Sequence, residues 1–327
     1  MVARRRVLLA LGATALAAAR APSAQVQGAR IPRIDYLSQG SEADRGVFLG
    51  AFREGLRELG WIDGKNVLID VHWAPANDFP QLAASLVKRD PAAIVGTCIP
   101  STRAAKNATT TIPVVMSVNG DPVESGLVAS LARPGANVTG TSTLFEELIP
   151  KWFEIISTTI PGIRNVAVMA NPEGVGDEYW WARAQQAAER LHLNVVRSEV
   201  HTAAGFGPEF ASMKKRRLDA FILMVDAYFL NEMQRIVTLA SEYKLPAVYG
   251  FREYVEAGGL ISYGLSYRDY YKGVARYVDK VLRGAKPADL PVEQPAKIQL
   301  VINLGTARAI GLAIPASVLA RADDVIR

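Results

Sequence analysis

Hydrophobic positions recur with two alternating spacings from Ile31 onward. Short runs of β-branched residues predict strands, and longer segments with apolar residues three or four positions apart predict helices. One such helix has an apolar stripe made by Phe48, Phe52, Leu56 and Leu59. Alternation of this kind is typical of βα units arranged around parallel sheets.

The predicted elements form two successive runs. The first run has strands at 33–38, 67–73, 92–98, 113–118 and 138–143, with helices around the stripe described above and at 79–88 and 124–132. The second run has strands at 165–170, 194–200, 220–226 and 246–251, with helices at 177–191, 207–215 and 231–243. A strand at 260–263, a helix that ends at Gly284 and an extended run at 297–303 follow. We therefore predict an α/β fold of two Rossmann-like lobes with parallel sheets, joined by a hinge.

The chain is expected to cross between the lobes near Thr143 and again near Gly258 and Gly259, because small residues can absorb backbone rotation. The first lobe then comprises residues 31–143 and about 259–290, and the second comprises residues 144–258. The lobe to which residues 291–327 belong is left open.

The first 24 residues have the pattern of an export signal. Arg4, Arg5 and Arg6 form a basic region, residues 7–19 are apolar, and residues 21–24 are small, as a cleavage site requires. The apolar run is shorter than the roughly 20 residues of a membrane-spanning helix. We therefore predict a cleaved signal peptide at residues 1–24 and a soluble periplasmic protein, exported by either the general or the twin-arginine route.

The formal charge of +5, from 37 basic and 32 acidic residues, at first suggests an anionic partner. Four of the basic residues lie in the first 24 positions, where no acidic residue occurs, so the rest of the chain has 33 basic and 32 acidic residues. Because such a chain has no evident surface for tracking phosphates, no nucleic-acid partner is expected.

In an open parallel sheet, ligands bind beyond the carboxyl ends of the strands, and two facing sheets form a cleft. The residues that follow the predicted strands are mainly hydroxyl, amide and carboxylate side chains with a few aromatic rings, a mixture that suits a small polar ligand. The candidate binding residues are Ser41, Ser101, Asp121, Thr143, Asn171, Asp226, Tyr249 and Glu253.

Several of these candidates also have a purely structural interpretation. Three are typical helix N-caps, namely Ser41, Ser101 and Asn171. Asp121 precedes a proline, as turn residues often do, and Asp226 can cap the helix that follows it. Tyr249 can equally be a core ring. Both interpretations stay open at this point.

No constellation of catalytic or metal-binding residues is recognisable. The histidines His72, His192 and His201 lack the spacing of a zinc site, and neither a GxSxG elbow nor a phosphate-binding glycine loop is present. Cys98 is the only cysteine, so it can form no intramolecular disulfide, and it is expected to be a small buried hydrophobe. We predict a binding protein without catalytic residues, metal or cofactor.

Motifs along the whole chain point to a family. AFREGLRELGW at 51–61 is followed by GKNV at 64–67, and GDPV at 120–123 by GLVASLARPGANVTG at 126–140. Further motifs are REYVEAGGL at 252–260, KPADLPV at 286–292 and ADDVI at 322–326. Together they resemble the ABC-transporter substrate-binding proteins that include the tryptophan-binding lipoproteins, which have the type I periplasmic binding protein fold.

The resemblance implies a receptor, expected to be a monomer, that closes over a small solute and delivers it to an inner-membrane ABC permease. By position, the eight candidate residues look like its cleft. Members often have a small Gly/Thr-rich loop where this chain has TCIPS at 97–101, so Cys98 and Ile99 are expected to narrow the pocket. The chain also differs from lipid-anchored members because no cysteine follows its signal.

The polarity of the candidates favours an amino acid or a related zwitterion. Carboxylates are the expected partners of an ammonium group, with Asp121 on the first lobe and Asp226 or Glu253 on the second. Hydroxyls are the expected partners of a carboxylate, namely those of Ser41, Ser101 and Thr143. Tyr249 can add a ring face. A neutral or anionic solute remains the alternative, with the acids acting as caps and turn formers.

Two other functions also remain open. One is the effector-sensing domain of a transcription regulator with the same fold, which would need a DNA-binding module ahead of the first lobe, where this sequence has its export signal. The other is an exported enzyme, which would need catalytic residues that the sequence does not show.

Overall fold

A computed structural model describes residues 31–172, 177–294 and 297–327 of the chain. The predicted signal peptide, residues 1–24, lies outside the described residues. Within them, the first sheet contains the strands β1 (Arg33–Ser38), β2 (Leu68–Trp73), β3 (Ala93–Gly96), β4 (Val114–Asn119) and β5 (Val138–Thr143). These strands are parallel and lie in the order β2-β1-β3-β4-β5.

The second sheet contains the strands β6 (Asn165–Ala170), β7 (Asn194–Glu199), β8 (Ala220–Leu223), β9 (Ala247–Phe251), β10 (Ile261–Leu265), β11 (Gln299–Asn303) and β12 (Asp324–Ile326). Their order is β12-β11-β10-β9-β8-β6-β7. The β10 and β11 strands pair antiparallel, and the other neighbours pair in parallel. The predicted α/β class with two mostly parallel sheets is confirmed.

Helices connect the strands, as βα units require. They are α1 (Glu42–Glu58), α2 (Phe79–Val87), α3 (Ile99–Ala108), α4 (Ile149–Thr159), α5 (Asp177–Arg190), α6 (Phe206–Lys215), α7 (Ala227–Asn231), α8 (Met233–Glu242), α9 (Glu253–Glu256), α10 (Tyr267–Leu282), α11 (Leu304–Ile310) and α12 (Ala316–Leu319). Across the described ranges, every helix is too short or too polar to span a membrane.

Helices α1 and α10 pack tightly against each other, although they are far apart in the sequence. The stripe residues Phe48, Phe52 and Leu56 of α1 are buried. Gly55 permits the close approach, because a Cβ at this position would lie 2.9 Å from the Cα of Lys272 in α10. This contact brings the start of both helices to the same end of the first sheet.

The prediction of a helix at residues 124–132 is wrong, because the chain forms turns there. Asp121 begins the segment by accepting backbone hydrogen bonds, and Gly126 then has a φ of +70°, which ends the helical turn. Leu127 and Val128 are adjacent and both buried. Their burial therefore depends on an irregular chain path and not on a helical stripe.

The return of the chain from the second sheet differs in detail from the expectation. The strand β10 follows Gly258 and Gly259 but still pairs with β9, so the strand predicted at 260–263 belongs to the second sheet. The helix α10, which follows Leu265, is the element that packs against α1 and against β4 and β5 of the first sheet. The tail extends the second sheet through β11 and β12. How these elements divide into lobes stays a prediction.

Candidate functional site

A cavity of about 190 Å³ lies at the carboxyl ends of strands from both sheets. Its lining comes from the segments that follow β1, β3, β4 and β5 in the first sheet and β6, β8, β9 and β10 in the second. This is where ligands bind in open parallel sheets. The volume is below the roughly 300–1,000 Å³ of pockets for drug-sized ligands, so the cavity suits one small molecule.

The wall built on the first sheet includes several polar side chains. Thr143, at the end of β5, donates a hydrogen bond of 3.0 Å from its Oγ1 to Asn119 Oδ1, and the backbone N–H of Phe145 donates to the same oxygen at 3.2 Å. Asn119 ends the neighbouring strand β4, so these bonds tie the ends of both strands together. Thr143 is thereby held at the cavity surface.

Asp226 provides a carboxylate on the wall built on the second sheet. It follows β8 and caps α7, and its Oδ1 accepts a 2.8 Å hydrogen bond from the backbone N–H of Tyr228. The Asn171 side-chain amide donates to the same oxygen at 3.3 Å. The carboxylate is partly buried and lines the cavity.

Aromatic rings cover much of the cavity. Phe48 of α1 stacks on Tyr271 of α10 with a centroid distance of 4.8 Å. Phe251, at the end of β9, meets Phe145 edge to face at 5.3 Å and Tyr267 at 5.9 Å. Rings in such arrangements form a rigid apolar surface that can hold the apolar part of a ligand.

Two neighbouring phenols on α10 also line the cavity. Burial raises the pKa of Tyr270 and of Tyr271 above the usual phenol range, because the charged form would be desolvated. The Tyr270 hydroxyl donates to the backbone carbonyls of Val118 at 3.3 Å and Thr141 at 3.4 Å. Both phenols therefore act as neutral groups.

The charged residues of the described lining are Arg45 and Asp226. Arg45 lies in the first turn of α1, the helix that follows β1 and packs against α10 and α7. The described residues include no cluster of His, Cys, Asp or Glu that could hold a metal ion. The arrangement as a whole offers one cationic and one anionic side chain in a ring-lined space.

Of the eight residues predicted from the sequence, Thr143 and Asp226 line the cavity. Ser41 precedes α1, and its carbonyl accepts a 3.0 Å hydrogen bond from the Arg45 backbone N–H. Ser101 is fully buried, and its hydroxyl donates at 3.1 Å to the carbonyl of Cys98, the N-cap residue of α3. Ser101 thus takes part in the cap of α3 without being its N-cap residue, and neither Ser41 nor Ser101 is in the lining.

Asp121 also lies outside the lining. Its side chain is exposed, and its Oδ1 accepts hydrogen bonds from the backbone N–H groups of Val123 at 2.7 Å and Glu124 at 3.2 Å. These contacts are those of a turn residue. Asn171 lies next to the site and contacts it through its hydrogen bond to Asp226.

Tyr249 is a core residue with no exposed surface, and its ring stacks on Tyr254 with a centroid distance of 4.7 Å. Side chains two positions apart share one face of a strand. Phe251 is therefore on the same face as Tyr249 but at the strand end, and it is Phe251 that reaches the cavity. Tyr249 therefore has the core position that was its structural alternative.

Sequence reasoning missed most of the residues that helices contribute to the cavity, namely Arg45, Phe48, Trp180, Tyr267, Tyr270 and Tyr271. The candidates were chosen only from the carboxyl ends of the predicted strands and the residues shortly after them. The available signal was position, because several of these residues lie in the first turns of the helices that follow β1, β6 and β10. Cys98 and Ile99, which the resemblance expects to narrow the pocket, do line it.

Glu253 is 2% exposed and lies outside the lining. Its Oε1 accepts a 2.7 Å hydrogen bond from the Ser266 hydroxyl, and its Oε2 has no partner among the described residues. Burial raises the pKa of this carboxyl above its usual range. The folded protein therefore holds the proton more tightly than the unfolded chain does, so this group makes stability fall as pH rises from the ordinary carboxyl pKa towards the raised one.

We expect Glu253→Gln to reduce that loss of stability, because the amide does not ionise but can still accept from Ser266. Urea unfolding of parent and variant at several pH values between about 4 and 7 measures the slope. Glu189→Gln, at an exposed position of α5, is the control and should keep the parental slope. Equal slopes for the parent and Glu253→Gln would contradict the assigned role.

Comparison with known proteins gives concordant matches. The sequence profile of the family described as ABC transporter substrate binding protein matches residues 44–326. The "Tyrosine-binding protein" of Clostridioides difficile (strain R20291) is 29% identical over 264 residues, which are 80% of this chain and 75% of that protein.

Two solved structures extend the likeness to the fold. A conserved domain protein of Vibrio cholerae is 27% identical with a TM-score of 0.69, and the match covers 90% of this chain and 100% of that one. The ABC domain in complex with L-Trp from Streptococcus pneumonia is 26% identical with a TM-score of 0.69, and the match covers 91% of this chain and 100% of that one.

Proposed function

The chain belongs to the ABC transporter substrate-binding protein family, and we propose that it is the receptor of an ABC importer for an amino acid or a related zwitterion. The family match confirms the resemblance that the sequence motifs indicate. Substrate-binding proteins of ABC transporters bind small-molecule solutes and interact with ABC permeases.

The observation that carries the proposal is the Asp226 carboxylate in a ring-lined cavity. An ammonium group that leaves water for such a space needs an acceptor, and Asp226 supplies a charged one. The rings of Phe48, Phe251 and Tyr271 supply an apolar surface for the rest of the solute. A purely anionic solute would be repelled by the carboxylate.

We further propose that the solute has an aromatic side chain. The rings in the lining favour a flat apolar group by stacked and edge-to-face contacts. The names of the similar proteins support this choice, since one is a tyrosine-binding protein and another was crystallised with L-Trp.

A thermal-shift screen of the twenty L-amino acids tests the proposal. A solute that binds only the folded protein stabilises it by about 2.7 kcal/mol at 100 times its Kd, so L-tyrosine or L-tryptophan should raise the Tm. Sugars and dicarboxylates serve as the comparison set. If they raise the Tm and no amino acid does, the proposed ligand class is wrong.

We also propose that the protein functions in the periplasm, after removal of residues 1–24, without a lipid anchor and without turnover of its solute. The basic, apolar and small-residue regions of the first 24 residues support export. Mass spectrometry of the exported protein should find no peptide from this region, and an intact N-terminus would contradict cleavage. Bound solute should be recovered unchanged, and a product would contradict simple binding.

A further inference from the structure

Arg45 is the cationic side chain of the described cavity lining. It is partly buried, and it forms no ion pair within 4.0 Å among the described residues. Its charge acts on the phenol of Tyr271, where it opposes the rise in pKa that burial causes. The guanidinium therefore lies near the rings of the binding cavity and has no carboxylate of the protein beside it.

Ser117 of β4 lines the same wall as Arg45. The residue is 3% exposed, and its hydroxyl forms no hydrogen bond of standard geometry among the described residues, although it lies close enough to the Tyr270 and Tyr271 phenols to oppose the rise that burial causes in the pKa of both. A buried hydroxyl without a partner costs free energy, and a ligand oxygen in the cavity would remove that cost. The wall on the first sheet thus has a cation and a hydroxyl without a well-formed hydrogen bond lining one space.

A single ligand group, a carboxylate, would supply a partner for both the Arg45 guanidinium and the Ser117 hydroxyl. A partly desolvated guanidinium is stabilised by an anionic partner, and its planar fork of donors matches a carboxylate in particular. We infer that Arg45 binds the carboxylate of the solute, with the Ser117 hydroxyl as a second donor. This inference rests on the proposed function and names a residue that sequence reasoning did not.

The inference also changes the partner expected for the carboxylate. The sequence favoured the hydroxyls of Ser41, Ser101 and Thr143, of which Thr143 alone is in the described lining. With Arg45 on the helix that follows β1 and Asp226 after β8, a solute that carries both charges contacts both walls at once. Arg45 then determines specificity, because an amine without the carboxylate loses one of the two anchors.

Three ligands that differ only in their charged groups test this role. L-Tyrosine has both groups, tyramine lacks the carboxylate, and 3-(4-hydroxyphenyl)propanoate lacks the amine. Calorimetry measures each ligand on the parent, on Arg45→Gln and on Arg45→Lys. If the parent prefers L-tryptophan, the three ligands are L-tryptophan, tryptamine and 3-indolepropanoate in place of the tyrosine series. Arg57→Gln is the matched control, since Arg57 is an exposed arginine of the same helix outside the lining.

Arg45→Gln should lower the affinity for the amino acid by about thirty-fold or more. This is the low end of the loss of affinity when one partner of a buried charge pair is removed. Arg45→Lys should fall between the parent and Arg45→Gln, because it keeps the charge without the fork. The affinities of tyramine for the parent and for Arg45→Gln should agree within about twofold. The Arg57→Gln variant should have the same affinity as the parent for each of the three ligands.

The possible failures are distinguishable. If the parent binds no amino acid, the proposed function is wrong and the inference falls with it. If the parent binds L-tyrosine and Arg45→Gln binds it equally well, the inference alone is overturned. An equal loss for tyramine and L-tyrosine would also overturn it, since that result indicates a general disturbance of the cavity. Thermal unfolding of each variant shows whether the fold is retained.

Discussion

Asp226→Asn is expected to weaken binding of the amino acid by about thirty-fold or more, the low end of the 2 to 5 kcal/mol found on truncating a buried charge pair. The substitution removes the negative charge while keeping the shape of the side chain. The amide oxygen can still accept the hydrogen bond from the Tyr228 backbone N–H, so the cap of α7 is retained. The loss then reports on the charge offered to the ammonium group.

Asp121→Asn is the matched control for this prediction. Asp121 also accepts backbone hydrogen bonds at the start of a turn, but it is exposed and lies outside the cavity lining. The affinity of the Asp121→Asn variant for the amino acid, measured by calorimetry, should stay within about twofold of the parental value. The deaminated acid, which has no ammonium group, should not bind Asp226→Asn more weakly than it binds the parent. If both asparagine variants bind the amino acid like the parent, Asp226 does not hold the ammonium.

Gly264→Ala should lower the free energy of unfolding by about 3 kcal/mol or more, the upper part of the range for overpacking. Gly264 lies in β10 beside β9, and a Cβ at this position would be 1.8 Å from the Gly250 carbonyl oxygen. Because the obstacle is backbone, the two strands must separate. Phe251 and Leu265, the next residues on each strand, line the cavity, so ligand affinity should fall as well.

Gly50→Ala is the control for this effect. Gly50 is an exposed position in α1, and nothing lies within 4 Å of the Cβ that alanine would add. Alanine is favoured over glycine inside a helix by about 0.5 to 1 kcal/mol, so this variant should be as stable as the parent or more stable. Urea unfolding measures both variants. A Gly264→Ala protein within about 1 kcal/mol of the parent would show that the strands tolerate the side chain.

The candidate site could be predicted only in part because its residues come from two kinds of position. Thr143 and Asp226 are the last residues of predicted strands, and both line the cavity. Arg45 and Tyr271 lie on helices whose hydrophobic pattern indicates only which face packs on the protein. Whether a residue at the edge of that face contacts the core or a cavity depends on the neighbouring element.

Local patterns in the sequence by themselves determined the strands other than β12, half of the described helices, the α/β class and the family motifs. They did not indicate α3 and α4. The bounds of β5 and β6 agree with the prediction because short β-branched segments form strands wherever both faces are covered. The same reasoning failed at residues 124–132, where the pattern predicts a helix. The backbone of Gly126 has a left-handed conformation there, and the buried residues lie on an irregular chain path.

Only the tertiary structure decided which side chains meet in the cavity. Tyr249 and Phe251 have the same strand face and similar chemistry, yet one is in the core and the other lines the cavity, because the depth of a residue is set by the elements packed around it. Arg45 and Asp226 are 181 positions apart in the sequence and follow strands of different sheets. They line one space because the fold brings the carboxyl ends of both sheets together, and no local pattern contains that long-range geometry.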